Sequence, residues 1–318
     1  MVGSQVGQAA VEAGHPVLAG LRGSKARRRK EGLIFRAFQA AALMSIVVSI
    51  AIVASLIGKA TAFAFNVDLA SLWSYGWFPR RGAYDIKTIV AGTLLISGIA
   101  MIVAAPLGLG AAIYLSEYAR PRVRRWLKPI LEILAGIPSV VLGYFAITWI
   151  NPQIVERIYP SAGFFTMASA GIAVGILVTP LVASVSEDAL RSVPQALREA
   201  SYGLAARKRS TTIKVVVPAA VSGVVAALII GVSRAIGETM IVAMASGATG
   251  GSSFSINPAE PGQTMTAAMT ALAIGSDQVR GEAHTFESLY FVGMLLFVMT
   301  LALNVVSERF VRRVRHKY

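Results

Sequence analysis

Six apolar runs, each long enough to cross a bilayer, constrain this chain more than any other feature. They cover Phe38–Ala60, Thr88–Leu115, Ile133–Ile150, Phe165–Val185, Val221–Ala245 and Leu289–Val306. A helix rises about 1.5 Å per residue, so about 20 apolar residues span a hydrocarbon core. The rest of the composition agrees: 55% of the 318 residues are hydrophobic and only 14% charged, against about 25% charged in a soluble domain. The runs predict an all-α integral membrane protein with six transmembrane helices. Lys59, near the end of the first run, can snorkel to the interface. Pro106-Leu-Gly-Leu-Gly110 in the second run and Gly136-Ile-Pro138 in the third predict kinks or close helix packing rather than breaks.

The formal net charge of +14 does not point to nucleic acid, because the basic residues flank the apolar runs, as membrane topology requires. The tail to Arg36 holds 7 Lys and Arg, Arg120–Lys128 holds 5, Arg191–Lys214 holds 6, and the end from Arg309 holds 5; the alternate loops share only Arg80, Arg81, Lys87, Arg157 and Arg280. The basic set belongs in the cytoplasm, which puts both termini inside. Trp73, Trp77, Trp149 and Tyr159 then fall in outer segments and suit an interfacial aromatic belt. Residues 1–36, ending in the basic run Lys25–Lys30, read as a disordered cytoplasmic tail that fixes topology beside the membrane lipid rather than as a cleaved leader.

Catalytic chemistry has little to work with. There is no cysteine, and His15, His284 and His316 are scattered outside the apolar runs, so neither a metal site nor a His-based catalytic cluster is expected. Gly58-Lys59 lacks both the upstream glycine and the following hydroxyl of a P-loop, which excludes ATP hydrolysis of that kind. Gly108-Leu-Gly110 lacks the third glycine of a dinucleotide fingerprint. Gly247-Ala-Thr-Gly-Gly251, followed by two serines and Asn257-Pro258, reads as an outer loop rather than a phosphate cradle. No carboxylates are paired for hydrolysis, so no catalytic residues are assigned.

Two charges do stand inside a run: Arg234 and Glu238, in Arg234-Ala-Ile-Gly-Glu-Thr239. A charge near mid-bilayer costs at least a few kcal/mol and is rarely there without a role. Spaced i, i+4, the two share one face of a continuous helix. Either they form a structural ion pair, or the arginine is a waypoint for an anion, with the glutamate competing for it so that the anion is released. A guanidinium binds oxyanions bidentately and keeps its charge. Counted from Pro218, the 16 residues to Arg234 rise about 24 Å, placing it past mid-membrane toward the outer half.

The loop of residues 186–217 is too long and too patterned for a connector. Ser192 and Gln195 fit a capping box, Pro194 lies in a first helical turn, and Ala196, Leu197, Ala200 and Leu204 recur at helical spacing. The pattern predicts a short amphipathic helix at the membrane surface, a turn near Gly203, and a second helical turn from about Ser210 to Pro218.

Within that loop, Glu199-Ala200-Ser201, Ala205 and Val215-x-Val217-Pro218 resemble the EAA loop of ABC-importer permeases, which reads Glu-Ala-Ala, a glycine six residues after the glutamate, and Ile-x-Leu-Pro. The spacing matches; Ser201, Ala205 and the two valines are the departures. Ala112-Ile-Tyr-Leu-Ser-Glu-Tyr118, Leu134-Ala-Gly-Ile-Pro-Ser-Val-Val-Leu-Gly-Tyr-Phe145 and Arg234-Ala-Ile-Gly-Glu-Thr-Met240 are similar to the PstC-type permeases of phosphate importers. Met240 departs from the Ala-Pro that usually follows Gly-Glu-Thr in the sister PstA type.

The resemblance covers about residues 85–310. It implies an ABC type-1 (MetI-like) permease core there, holding the ATPase-docking loop 186–217. Residues 1–36 form the tail, 37–84 the first helix and outer loop, and 311–318 a basic C-terminus. It further implies a non-catalytic subunit of the bacterial cytoplasmic membrane that binds no cofactor itself. Its partners would be a PstA-type permease, an ATP-binding subunit dimer and an extracytoplasmic phosphate-binding protein. Glu199, with Ala200, Ser201, Ala205, Val215, Val217 and Pro218, would meet the ATPase, and Arg234, Glu238 and Thr239 would line the substrate path. A permease for sulphate, molybdate or another solute is the nearest alternative. An ion-coupled carrier working alone has no use for the 199–218 loop.

Overall fold

A computed structural model describes residues 25–247, 251–274 and 284–315. The chain divides at Ser55 into two units. The first, over its described residues 25–55, is helix and forms most of α1, Lys25–Asn66. The basic run Lys25–Lys30, expected in an irregular tail, is therefore the start of α1. Long unbranched basic side chains favour helix, and residues 25–37 contain no proline and a single glycine. Residues 1–24 of the expected tail lie outside the described residues.

The second unit is built on α2, Ile86–Ile113, and α5, Met167–Arg191, which pack along one another. Their contact is closed by glycine. Gly171 and Gly175 on α5 are one turn apart, and a Cβ on Gly175 would come within 2.8 Å of the Ala100 carbonyl and 2.7 Å of the Val103 side chain. Without a hydrophobic driving force between helices in lipid, such small-residue seams let backbones approach and gain van der Waals contact. Alanine is the commonest residue of the core around it: Ala100, Ala104, Ala146, Ala170, Ala173 and Ala245 are among those buried. Because the Ala100 carbonyl is backbone and the Val103 contact is at a β-branched side chain, neither of which can step aside, Gly175→Ala forces the helices apart; a loss of about 1–3 kcal/mol is expected, read as a lower melting temperature in detergent.

Four helices are long and apolar enough to cross a membrane among the described residues. They are Lys30–Asn66, Ile86–Tyr118, Met167–Arg191 and Thr285–Arg309, and two bent pairs raise the number to as many as six. One bent pair falls inside an expected run, the third, and the other bends just before the fifth run begins. The third is α3, Pro121–Ala135, then α4, Ser139–Phe145, continuing through wide turns to Ile158, with an 86° bend between them. Pro138 has no N–H to donate and turns Ile137 away from helical geometry, so the helix stops and restarts at Gly136-Ile-Pro138. Pro106, by contrast, is carried inside α2.

The fifth run is also divided. A helical segment Lys208–Ala219, which begins with the short α7 (Lys208–Thr211), meets α8, Val221–Ile236, at 70°. After α8 the chain leaves helical geometry at Gly237–Thr239 and resumes as α9, Met240–Ala245.

Between α5 and α7 lies α6, Gln195–Gly203. Beyond α9 come α10, Met265–Ile274, and α11, Thr285–Arg315. α10 was not anticipated, because ten apolar residues are too short for a span and read as part of a loop. Its start is seated on α2: the Met265 N–H donates to Thr93 Oγ1 at 3.0 Å, and a Cβ on Gly92 would collide with the Gln263 carbonyl. Of the expected glycine loop at 247–251, residues 248–250 lie outside the described residues.

A small antiparallel sheet also escaped the sequence: β1 (Gly76–Phe78) pairs with β2 (Ala83–Tyr84) on one side and β3 (Ser252–Ser253) on the other. Trp77, expected at the interface, is 1% exposed beneath it and packs with Phe63 and Tyr84, whereas Trp73, Trp149 and Tyr159 are exposed. The segment after β3 closes the start of α5, because the Glu260 and Pro258 carbonyls accept from Met167 and Ala168 N–H. Ser255 and then Asn257 hydrogen-bond the Glu260 carboxylate and hold its pKa below the usual value.

Candidate functional site

α8 ends where its charges begin. Arg234 lies in its last turn, where a cation complements the helix dipole, and Gly237 forms the cap. Glu238 stands two residues past the helix end, so the pair does not share a continuous helical face as its spacing suggested. The backbone turns and the two side chains still meet: Arg234 Nη1 lies 2.8 Å from Glu238 Oε2. Their exposure is unequal, 47% for Arg234 and 4% for Glu238. Glu238 is an anchored counter-charge and Arg234 faces open space. In the described contacts only Nη1 of the guanidinium is engaged, leaving donors that can meet an oxyanion.

The break is latched from α10. Thr266 Oγ1 donates to the Glu238 carbonyl at 2.8 Å, and the Thr264 and Thr266 hydroxyls are 3.0 Å apart. Thr239, half-buried, donates from Oγ1 to the Gly237 carbonyl at 3.3 Å. The 70° bend before Val221 also means that depth along this helix counts from Val221 rather than Pro218, which puts Arg234 about 20 Å along it.

The 186–217 loop folds as a second site. α5 runs on to Arg191, with Ser192 as its C-cap, its hydroxyl bonded to the Ala189 carbonyl. The expected capping box with Gln195 therefore does not form, and Pro194 is the N-cap of α6 rather than inside its first turn. α6 ends in a Schellman turn: Ala206 N–H reaches the Ser201 carbonyl, and Ala205 N–H the Tyr202 carbonyl. That motif needs a left-handed residue, and Ala205 holds φ 58°, the one non-glycine with positive φ among the described residues. The glycine at this position in the EAA pattern thus has a backbone reason. A Cβ in this region is disfavoured by about 1–2 kcal/mol, partly offset by the greater freedom of glycine in the unfolded chain. Ala205→Gly is expected to stabilise the chain by up to about 1 kcal/mol, as a small rise in melting temperature with activity kept.

Glu199 and Ala200 are exposed on α6, as are Leu197 and Tyr202, and Leu204 is 86% exposed. Ser201 Oγ meets Thr211 Oγ1 at 2.9 Å, joining α6 to α7. Val215, Val217 and Pro218 are half-buried. Val217 packs against Ala112, Leu190, Val193, Val216 and Ala220, so this end of the motif roots the loop in the chain's own core.

Sequence reasoning missed two buried carboxylates. Glu187 of α5, 1% exposed, lies against Arg124 and, at 3.6 Å, Lys128 of α3, without a well-aligned hydrogen bond to either. Glu117, just past α2, pairs with Arg198 of α6. Pairs separated by about 60 and 81 residues leave no local signature; a charged residue beside the EAA glutamate was the only hint.

Residues 104–316 match the family described as binding-protein-dependent transport system inner membrane component. The chain is 32% identical over 280 residues to a probable ABC transporter permease protein, YqgH, of Bacillus subtilis, covering 85% of this chain and 88% of that one. It is 33% identical over 256 residues to phosphate transport system permease protein PstC 1 of Mycobacterium tuberculosis, covering 74% and 75%. Among solved structures, a bacterial alginate ABC transporter in complex with an alginate pentasaccharide-bound periplasmic protein aligns over 91% of this chain and 97% of that one, with TM-score 0.62 at 13% identity. An inward-facing MetNI methionine ABC transporter aligns over 71% and 93%, with TM-score 0.52 at 19% identity. These structures share the fold. The helical core, its bent spans and the matched two thirds of the sequence agree: this chain belongs to the binding-protein-dependent transport system inner membrane components, the permease subunits of ABC importers.

Proposed function

We propose that this chain is the PstC-type permease of an ATP-driven inorganic phosphate importer in the bacterial cytoplasmic membrane, with both termini inside. The observation that carries the reading is the unequal pair at the end of α8: a half-exposed guanidinium, 2.8 Å from a carboxylate that is 4% exposed. Phosphate oxygens match the guanidinium fork, and Glu238 competes for the same donors, so the anion is held without being trapped. Thr239 lies next in the path. The relatives named as phosphate transport permeases support phosphate over other oxyanions.

A PstA-type permease would complete the pathway, an ATP-binding subunit dimer would dock on Glu199, Ala200, Ser201 and the turn at Ala205, and an extracytoplasmic phosphate-binding protein would deliver the ion. ATP hydrolysis then belongs to the docked subunits. The basic segments 120–128 and 191–214 support their placement on the cytoplasmic side.

The test is reconstitution of the chain with its cognate subunits in vesicles. ATP hydrolysis is expected to rise with phosphate-loaded binding protein and not with sulphate. Equal stimulation by both, or phosphate uptake by this chain without ATPase subunits, would overturn the assignment.

A further inference from the structure

Arg198 ties the docking helix α6 to the membrane core. Arg198 is 12% exposed and Glu117 5%. Arg198 Nη2 donates to Glu117 Oε1 at 2.9 Å and to the Leu190 carbonyl at 2.9 Å, and its Nη1 donates to the Val193 carbonyl at 2.6 Å. Ser116 Oγ donates to the same Glu117 oxygen at 3.0 Å. One guanidinium therefore joins three elements: α6, the carbonyls around the end of α5, and the wide turn Tyr114–Tyr118 that extends α2.

The arrangement fits transmission. α2 and α5 are locked by the Gly171–Gly175 seam, so whatever moves their shared end moves both. The neighbouring residue Glu199 is exposed. A planar fork reaching three acceptors at once is a geometry that lysine cannot copy. Lys208 Nζ, 5.1 Å from the centre of the Tyr118 ring, adds a second, weaker tie to the same turn.

We infer that Arg198, through Glu117 and the carbonyls of Leu190 and Val193, is the positioning residue that transmits movement of the docked α6 helix to the α2–α5 pair. This rests on α6 being the ATPase-docking helix. The inference separates two events that a docking role alone would not: holding the ATPase and being moved by it.

Arg198→Lys keeps the charge and loses the fork; Glu117→Gln keeps the shape and loses the charge. Both variants are to be reconstituted with the cognate subunits and assayed for retained ATPase subunits, ATP hydrolysis and phosphate uptake. Each is expected to keep its ATPase subunits and its basal hydrolysis while uptake per ATP falls about tenfold, within the span of ordinary coupling energies. The exchanged pair Arg198→Glu with Glu117→Arg is expected to recover part of that ratio. An unchanged ratio in both single variants overturns the inference, as does loss of the ATPase subunits from both, because Arg198 would then serve docking alone. Leu204→Asp and Glu199→Ala, which leave Arg198 intact, test the docking reading independently: ATPase subunits retained by both variants would count against docking on α6 and not against the Arg198 geometry.

Discussion

Arg234→Ala is expected to lower phosphate uptake per inserted protein by about 30- to 100-fold. The size follows from what the side chain offers a passing anion. A hydrogen bond to a charged group contributes about 1.5–3 kcal/mol, and each 1.4 kcal/mol is a factor of ten. The substitution also leaves the Glu238 carboxylate, 4% exposed, without its counter-charge, which costs stability, so inserted protein is measured beside uptake. Initial rates of labelled phosphate uptake against concentration, normalised to inserted protein, make the measurement. Glu238→Gln separates the two roles of the pair. It keeps the shape of a buried side chain and removes the competitor for Arg234, so the half-saturating concentration should fall together with the maximal rate. Wild-type kinetics in both variants would remove the pair from the anion path and leave it a structural tie.

How much of this was legible beforehand depends on how far apart the contributing residues lie. Membrane character follows from composition and run length, local properties that need no partner. The charges at 234 and 238 were visible for the same reason: in so apolar a run, each is an exception. The conformation between them was not. Gly237 and the demand of Thr266 on the Glu238 carbonyl end the helix, and the second of these comes from a segment 28 residues away. The sequence offered Gly136-Ile-Pro138 as a kink, but the 86° bend depends on α4 finding its own packing against α5 and α9. The glycine seam between α2 and α5 went unseen because a glycine pair on one helix has meaning only beside the carbonyl it approaches. The Schellman turn at Ala205 lies between these cases. Its place was marked by the glycine of the EAA pattern, and its cause, a left-handed backbone, emerges only with the hydrogen bonds in view.

Leu204→Asp is expected to lower retention of the ATPase subunits by about 30-fold and to reduce transport in proportion. Leu204 is 86% exposed, and Leu197, seven residues earlier on the same face of α6, is exposed as well. A leucine held this far out by an ordered turn gains little from its own fold, so the substitution should change stability by no more than about 0.5 kcal/mol. Burying it in a cleft of a second protein makes it an anchor, and anchors at interface centres contribute about 2 kcal/mol or more, whereas their surroundings contribute little. Aspartate removes the anchor and adds a charge that the cleft must desolvate. Glu199→Ala should act more mildly, by a few-fold and less at high salt, because an exposed charge at a rim is screened and adds mainly to the rate and orientation of association. The order of the two effects is the informative result. If Glu199→Ala releases the ATPase and Leu204→Asp does not, the glutamate lies at the buried centre of the interface and the apolar cluster at its edge. If neither releases it, α6 is not the docking helix, and its exposed leucines meet lipid.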